Sequence, residues 1–238
     1  MTSTFALLGA TGLVGSNILK YLIHSPTPST VITLTRRELD ESITSAAVAG
    51  KHTLNSKIEK DTAQWATIFG DACKATTPSP IAFTALATTR GAAGGFEKQY
   101  ALEHDVNVAL AKAAKEAGVK TFVLISGGGA DAKSSFAYVR MKGEIEDHIE
   151  EVGFERYIVV RPGLLLGDRN ETRLGESIFQ GIAKGLRFVT GGMLSDQWAQ
   201  AGDVVARAAV RAALDEEITG KKILYQKDIV HLGKKEDW

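Results

Sequence analysis

The sequence predicts an α/β protein: a doubly wound parallel sheet with helices on both faces. Three observations lead there. Short apolar, β-rich runs alternate with amphipathic stretches along the chain, the order a parallel sheet with right-handed crossovers requires. A glycine-punctuated turn directly follows the first apolar run. The length of 238 residues and the 44% apolar share suit one unit with its own core. The expected organisation is a single domain over 1–238, with 163–202 inserted as a small C-terminal substrate-binding lid.

The elements follow in order. Phe5 to Leu8 is a buried strand that ends at Gly9. Residues 15–23 have helical spacing, with Val14, Ile18, Leu19 and Leu22 on one side, and Pro26 and Pro28 end that helix. Val31, Ile32 and Leu34 make a second strand. Residues 38–60 are polar and show only a strand near Leu54. A helix over 64–73 precedes a β-rich run from Ile81 to Leu86. Residues 91–95 read as a flexible loop, and 96–117 as one long Ala-rich helix stopped by Gly118. The strand Thr121 to Ile125 is followed by Gly127, Gly128 and Gly129. A helix over 135–152 leads to the strand Tyr157 to Val160, closed by Arg161 and Pro162. The pattern from 163 to 202 is irregular, with a helix expected at 175–184. A helix over 204–214 and a late strand at 223–225 complete the series.

In sheets of this kind the ligand lies outside the carboxyl ends of the strands. The loops after Leu8, Leu34, Leu86, Ile125 and Arg161 are therefore expected to converge on one site. Composition narrows what that site serves. The 28 basic residues balance 28 acidic ones, so net charge supplies no drive toward nucleic acid or an anionic membrane. Cys73 is the lone cysteine, which excludes an intrachain disulfide and fits a reducing compartment. The five histidines have no zinc-type spacing, so no metal is expected. No apolar run is long enough to span a bilayer, and residues 1–5 lack the basic region of a cleaved signal, so a soluble protein is expected. Trp65, Trp198 and Trp238 read as packing or surface residues, Trp198 also as a candidate for the substrate pocket. His104 and His148 read as solvated, and Ser134 and Ser135 as helix caps.

Gly9-Ala10-Thr11-Gly12-Leu13-Val14-Gly15 joins the first strand to the first helix. Gly9 permits a tight turn, Gly12 lets a pyrophosphate approach the backbone, and Gly15 lets the helix pack against the sheet. A phosphate there meets unpaired N–H groups at the positive end of the helix. This is the dinucleotide-binding turn of a Rossmann-type fold, expected to hold its ligand through Gly9, Thr11, Gly12, Leu13, Val14 and Gly15. After the second strand, where an NAD-preferring protein places an acidic residue for the ribose 2′-OH, this chain has Thr35-Arg36-Arg37. A guanidinium pairs bidentately with a 2′-phosphate, so NADP(H) is the expected cofactor. Arg36 is the main contact, and Arg37 stacks on adenine or assists.

Tyr138 and Lys142 lie one turn apart on one helical face. A nearby ammonium favours a phenolate, which suits the tyrosine to proton transfer, and Lys142 can also hold the nicotinamide ribose. Ser126 follows the strand 121–125 and is placed to polarise a carbonyl. With the glycine turn, these residues resemble the short-chain dehydrogenase/reductase superfamily in its extended or atypical branch. The resemblance implies catalytic roles for Ser126, Tyr138 and Lys142. It matches the family's helix asparagine to Asn107, and its nicotinamide-side segment to Arg161, Pro162 and Gly163.

Three stretches narrow the match: Leu86-Ala87-Thr88-Thr89-Arg90-Gly91, Lys142-Gly143-Glu144-Ile145-Glu146, and Arg161 through Arg169. They resemble the Tat-interacting oxidoreductases and that group's fungal mitochondrial outer-membrane relatives. Leu86, Ala87 and Thr88 are thereby expected at the cofactor, and Arg90 either contacts phosphate or is solvated. A departure is the run Gly127-Gly128-Gly129 where such proteins often carry Ser-Ser or Ser-Lys. Two functions follow. One is an NADP(H)-dependent oxidoreductase passing hydride to or from a small carbonyl or alcohol substrate. The other is an NADP(H)-sensing regulator that binds a protein partner with little turnover. The resemblance also implies a location on the cytoplasmic side, peripheral to the mitochondrial outer membrane. Monomer and homodimer both stay open.

Overall fold

The computed structural model describes residues 3–166 and 199–234. Strand β1 (Ser3–Leu8) lies inside the sheet, flanked by β2 (Ser29–Thr35) and β4 (Ile81–Thr84). Outward on one side follows β3 (Thr53–Ile58), and on the other β5 (Thr121–Ile125), β6 (Arg156–Val160) and β9 (Gly220–Leu224). The order is β3-β2-β1-β4-β5-β6-β9, and every pairing is parallel. The order reverses between β1 and β4, which opens a crevice at their carboxyl ends. This is the Rossmann-type architecture that the sequence predicts.

Side-chain alternation along each strand explains why both faces need helices. Phe5 and Leu7 of β1, with Val123, Ile158 and Val160, enter one core. There they meet α1 (Leu13–Ile23) through Val14, Ile18 and Leu22, and α8 (Gly202–Leu214) through Val205 and Ala209. Ala6 and Leu8, with Phe122, Leu124 and Val159, enter the opposite core. That side is covered by α3 (Trp65–Lys74), α6 (Val106–Glu116) and α7 (Ala137–Glu151), which supply Trp65, Phe69, Leu110, Met141 and Ile145.

Several elements differ from the sequence expectation. Within 38–60 a helix α2 (Glu41–Ala49) forms, because the Asp40 carboxylate accepts the Ser42 N–H at its N-terminus. Its buried face is only Ile43 and Ala47, too sparse to show as a period. The expected flexible loop at 91–95 contains a one-turn helix α4 (Arg90–Ala93). It is capped by Thr89 and ended by Gly94 at φ +78°. The single long helix expected over 96–117 is α5 (Phe96–Tyr100), a π turn over Ala101–Asp105, and then α6. It does stop as expected, with Gly118 at φ +86°. Helix α7 starts at Ala137 without a side-chain cap, so Ser134 and Ser135 do not cap it; Ser134 Oγ instead accepts the Phe136 N–H. A terminal helix α9 (Gln226–Gly233), not expected, follows β9.

Strands β7 (Leu164–Leu166) and β8 (Ala199–Ala201) pair in parallel as a separate two-stranded sheet. The expected helix at 175–184, Trp198, Trp238 and most of the 163–202 segment lie outside the described residues. Among the described residues no helix is long and apolar enough to cross a membrane.

Candidate cofactor and active site

The sharp turn after β1 is dictated by space. Gly9 has φ +80°, and a Cβ on it would stand 2.7 Å from the Ala85 backbone. A Cβ on Gly15 would fall 2.0 Å from the Gly9 carbonyl oxygen, so only hydrogen allows α1 this close. The turn is closed by the Gly12 N–H donating to the Gly9 carbonyl at 2.9 Å. Gly12 is exposed and caps α1 with no side chain on its amides, and no acidic residue stands in the first turn. Thr11 and Leu13 are half-buried beside it, while Val14 is core. The result is a backbone cradle at a helix N-terminus, facing the crevice between β1 and β4.

Arg36 and Arg37 follow the last residue of β2 and are both exposed. Thr35 Oγ1 donates to the Arg37 carbonyl at 2.7 Å, which bends the chain at the strand end. Two cations therefore stand at the rim next to the glycine cradle.

The loop after β4 is held from below. Glu103, fully buried on the π turn, accepts the Thr88 N–H at 2.9 Å and a Gln99 amide proton at 3.0 Å through Oε1. Gln99 also donates to the Thr88 carbonyl at 3.1 Å. Asn107 donates to the Leu86 carbonyl at 3.3 Å and to the Glu103 carbonyl at 2.6 Å, and accepts the Thr84 hydroxyl at 2.5 Å. Leu86, Ala87 and Thr88 thus stand in a fixed loop beside the crevice. The backbone N–H and carbonyl of Thr88 are taken by Glu103 and Gln99, so its half-buried side chain is the part left for a ligand. Arg90 is exposed on α4.

Helix α7 presents Tyr138 and Lys142 at the carboxyl edge, after β5. Tyr138 is half exposed, and its hydroxyl lies 3.7 Å from where a Cβ on Gly127 would sit. Lys142 Nζ is 5.8 Å from the Tyr138 ring centre. The ammonium has a partner that the sequence does not announce: Glu103 Oε2 at 2.6 Å, with the two side chains 5% and 1% exposed. Oε2 accepts no other bond, so Lys142 is its counter-charge. Asn107 does not touch Lys142; it holds the turn that carries Glu103.

Ser126 is buried, and its N–H donates to the Val160 carbonyl at 2.8 Å. Its hydroxyl donates to Glu146 Oε1 at 2.5 Å. Glu146, 1% exposed, also receives Arg161 in a fork: Nε at 3.0 and 3.1 Å, Nη2 at 2.6 Å. The carboxylate bonds hold the Arg161 guanidinium above its usual pKa range. Arg161 leans on the Tyr225 ring at 5.8 Å, and the Gly128 N–H donates to the Pro162 carbonyl at 2.8 Å. Arg161, Pro162 and Gly163 therefore lock the glycine loop after β5 to the end of β6.

Glu103 and Glu146 escape a reading of the sequence because a carboxylate on a helix is ordinarily solvated. The available signal is the apolar spacing of α7, which puts Glu146 on the same face as Met141, Ile145 and Ile149. His104 is likewise buried rather than solvated, bonded to Asp105 at 2.8 Å and to His148 at 2.7 Å. Among the described residues no group of three or more His, Cys, Asp or Glu is arranged to hold a metal.

Comparison with known proteins gives the family. A family model described as NAD(P)H-binding matches residues 9–181. Protein fmp52, mitochondrial, of Aspergillus niger is 44% identical over 237 residues, spanning 96% of this chain and 97% of that protein. Protein fmp-52, mitochondrial, of Neurospora crassa is 41% identical over 247 residues, spanning 100% and 97%. Two solved structures share the fold at low identity. The Campylobacter jejuni UDP-Glc/GlcNAc 4-epimerase superposes with TM-score 0.67 at 13% identity, over 96% of this chain and 82% of that one. YwfH, an NADPH-dependent reductase, superposes with TM-score 0.66 at 15% identity, over 94% and 96%.

Proposed function

This chain belongs to the NAD(P)H-binding family, in company with the fungal mitochondrial fmp52 proteins, and from that premise we propose that it is an NADP(H)-dependent oxidoreductase acting on a small carbonyl or alcohol. The observation that supports the reading is that the glycine cradle, Arg36/Arg37 and Tyr138 all follow the carboxyl ends of strands in one parallel sheet. The cradle fits a dinucleotide, because Gly9 and Gly15 leave room that a Cβ would fill and the α1 amides carry no side-chain cap. When bound, the cofactor supplies or accepts the hydride. Gly9, Thr11, Gly12, Leu13, Val14 and Gly15 would hold its pyrophosphate. Arg36, assisted by Arg37, would pair with a 2′-phosphate, and Leu86, Ala87 and Thr88 would line its path toward the nicotinamide.

Tyr138 would give a proton to the carbonyl oxygen in reduction and take it back in oxidation. Lys142 would hold the tyrosine and the ribose, with Asn107 keeping Glu103 in place behind it. Ser126 would orient the substrate oxygen's surroundings, and Arg161, Pro162 and Gly163 would keep the nicotinamide-side loop rigid. The 163–202 segment is proposed as the lid of a single domain. The test is NADPH oxidation over a carbonyl panel by wild type and Tyr138→Phe, with the loss of turnover in the variant expected at unchanged NADPH affinity. Equal turnover by both proteins would remove Tyr138 from the chemistry. The cofactor preference is checked by dissociation constants: NADPH is expected to bind more tightly than NADH, and Arg36→Ala to reduce that gap about tenfold or more. Equal affinities in wild type would refute the NADP(H) assignment.

One observation favours the second reading, an NADP(H)-responsive regulator that binds a protein partner. Lys142 and Ser126 are both committed to buried carboxylates, which a binding protein tolerates more readily than a catalyst. Tight NADPH binding with no turnover on any carbonyl would favour it. Peripheral placement at the mitochondrial outer membrane is proposed on the names of the fmp52 relatives.

A further inference from the structure

A lysine head on its flexible four-carbon stem ordinarily finds water. That of Lys142 does not. Its side chain is 5% exposed, and Nζ stands 2.6 Å from Glu103 Oε2 and 5.8 Å from the centre of the Tyr138 ring. Among the described residues Glu103 is its one ion-pair partner. Of the two, the carboxylate is the one held in place. Its Oε1 takes the Thr88 N–H at 2.9 Å and a Gln99 amide proton at 3.0 Å, and the Glu103 carbonyl takes an Asn107 amide proton at 2.6 Å. The ammonium therefore stands where Glu103 puts it.

The two oxygens of this carboxylate serve different elements. Oε1 anchors the loop after β4, and Oε2 anchors a side chain of α7. Packing alone does not call for such a pair, since apolar side chains of like volume serve a core as well or better. Glu103 also lies on the π turn over Ala101–Asp105, a helical form that occurs mostly as single turns and frequently at functional sites.

We propose that Glu103 is a positioning residue for hydride-transfer chemistry: it sets the Lys142 ammonium beside Tyr138 and ties it to the loop over 86–88, so that one buried carboxylate aligns the proton donor with the cofactor's path. Fully buried, Glu103 acts through Lys142 and the Thr88 backbone and not by contact with substrate. The inference rests on the oxidoreductase reading above. Without the charge, the lysine stem is free to carry its head to water, and Tyr138 loses a fixed neighbour. Misplacements of about 1 Å in such an arrangement cost a reaction up to about a hundredfold.

Glu103→Gln separates the two anchors. It keeps an oxygen for Thr88 and Gln99 and turns an N–H₂ toward Lys142. The first readout needs no turnover: acylation by acetic anhydride, followed by peptide mass spectrometry, reports how freely the Lys142 amine is reached. In the variant Lys142 is expected to react severalfold faster relative to the exposed Lys112. The second readout is kcat for NADPH oxidation with propanal, hexanal, cyclohexanone and benzaldehyde. It is expected to fall about tenfold or more, with the NADPH dissociation constant changed far less. A merely structural role would instead raise the labelling of all lysines and weaken NADPH binding in step with kcat. That result, unchanged Lys142 labelling, or a kcat at or above that of wild type would overturn the inference while leaving the oxidoreductase reading intact. Glu103→Asp keeps the charge but withdraws it by a methylene, and it decides by the same readouts if Glu103→Gln does not fold. No NADPH oxidation by wild type with any carbonyl would instead overturn the reading itself, and the inference with it.

Discussion

Replacing Glu103 with leucine removes the partner of an ammonium that is 5% exposed. At 2.6 Å and an effective dielectric of about 20, the pair attracts by roughly 6 kcal/mol. Much of that attraction offsets the desolvation of both groups, so the pair adds little over an apolar replacement. The single change is different, because it leaves Lys142 charged and alone. It also strips the Thr88 N–H and the Gln99 amide of their acceptor. The expected loss is about 3–5 kcal/mol, measured by urea unfolding followed by circular dichroism. Lys142→Met alone should cost a similar amount, since Glu103 then keeps an unpaired charge. The double variant should recover most of the loss, giving a coupling energy of about 2 kcal/mol or more. Single losses below about 1 kcal/mol, or a coupling near zero, would refute the pairing as a determinant of stability.

Three further outcomes follow. Gly15→Ala should abolish NADPH binding and lower stability by about 1–3 kcal/mol, because the new methyl meets the Gly9 carbonyl at 2.0 Å; isothermal titration and a thermal melt check it, and an unchanged affinity would contradict the packing. Cys73 is buried, and burial pushes its thiol from 9.0 up to about 12. Between those values the unfolded chain loses the proton first, so the wild type should lose stability relative to Cys73→Ala as pH rises above 9, by up to about 1.4 kcal/mol per pH unit. Parallel stability curves would contradict that burial. His104→Phe should break the bond to His148 between the π turn and α7 and destabilise by about 1 kcal/mol, read by the urea midpoint, and no change would mean the bond contributes nothing.

Features that a residue type alone can enforce are legible in the amino-acid sequence. Gly9 and Gly15 stand where no other residue fits, so the turn is visible in the letters. The apolar runs of Phe5 to Leu8 and of Thr121 to Ile125 follow from two packed faces. The convergence of the strand-end loops follows from parallel topology, whatever their composition. Features made by distant residues meeting are not legible in this way. Glu103 is buried as a carboxylate because Lys142, Thr88 and Gln99 surround it, and no local pattern carries that fact. The π turn at 101–105 is invisible in an Ala-rich stretch whose propensity is helical throughout. Helix α4 depends on the Thr89 cap, which outweighs the glycine at Gly91 inside it.

The order of the sheet has a consequence at its two ends. Among the described residues strand β3 forms one edge, and five of its six residues are exposed, Lys57 among them. Strand β9 forms the other, where Gly220, Lys221 and Lys222 are exposed. A row of unpaired backbone groups invites another chain to add a strand, and lysine on that row is a deterrent, since a pairing neighbour must bury its charge. A parallel sheet of this width would otherwise be a template for its own extension. Here a chain pairing at either rim would have to bury lysine charge, that of Lys57 on one side and Lys222 on the other.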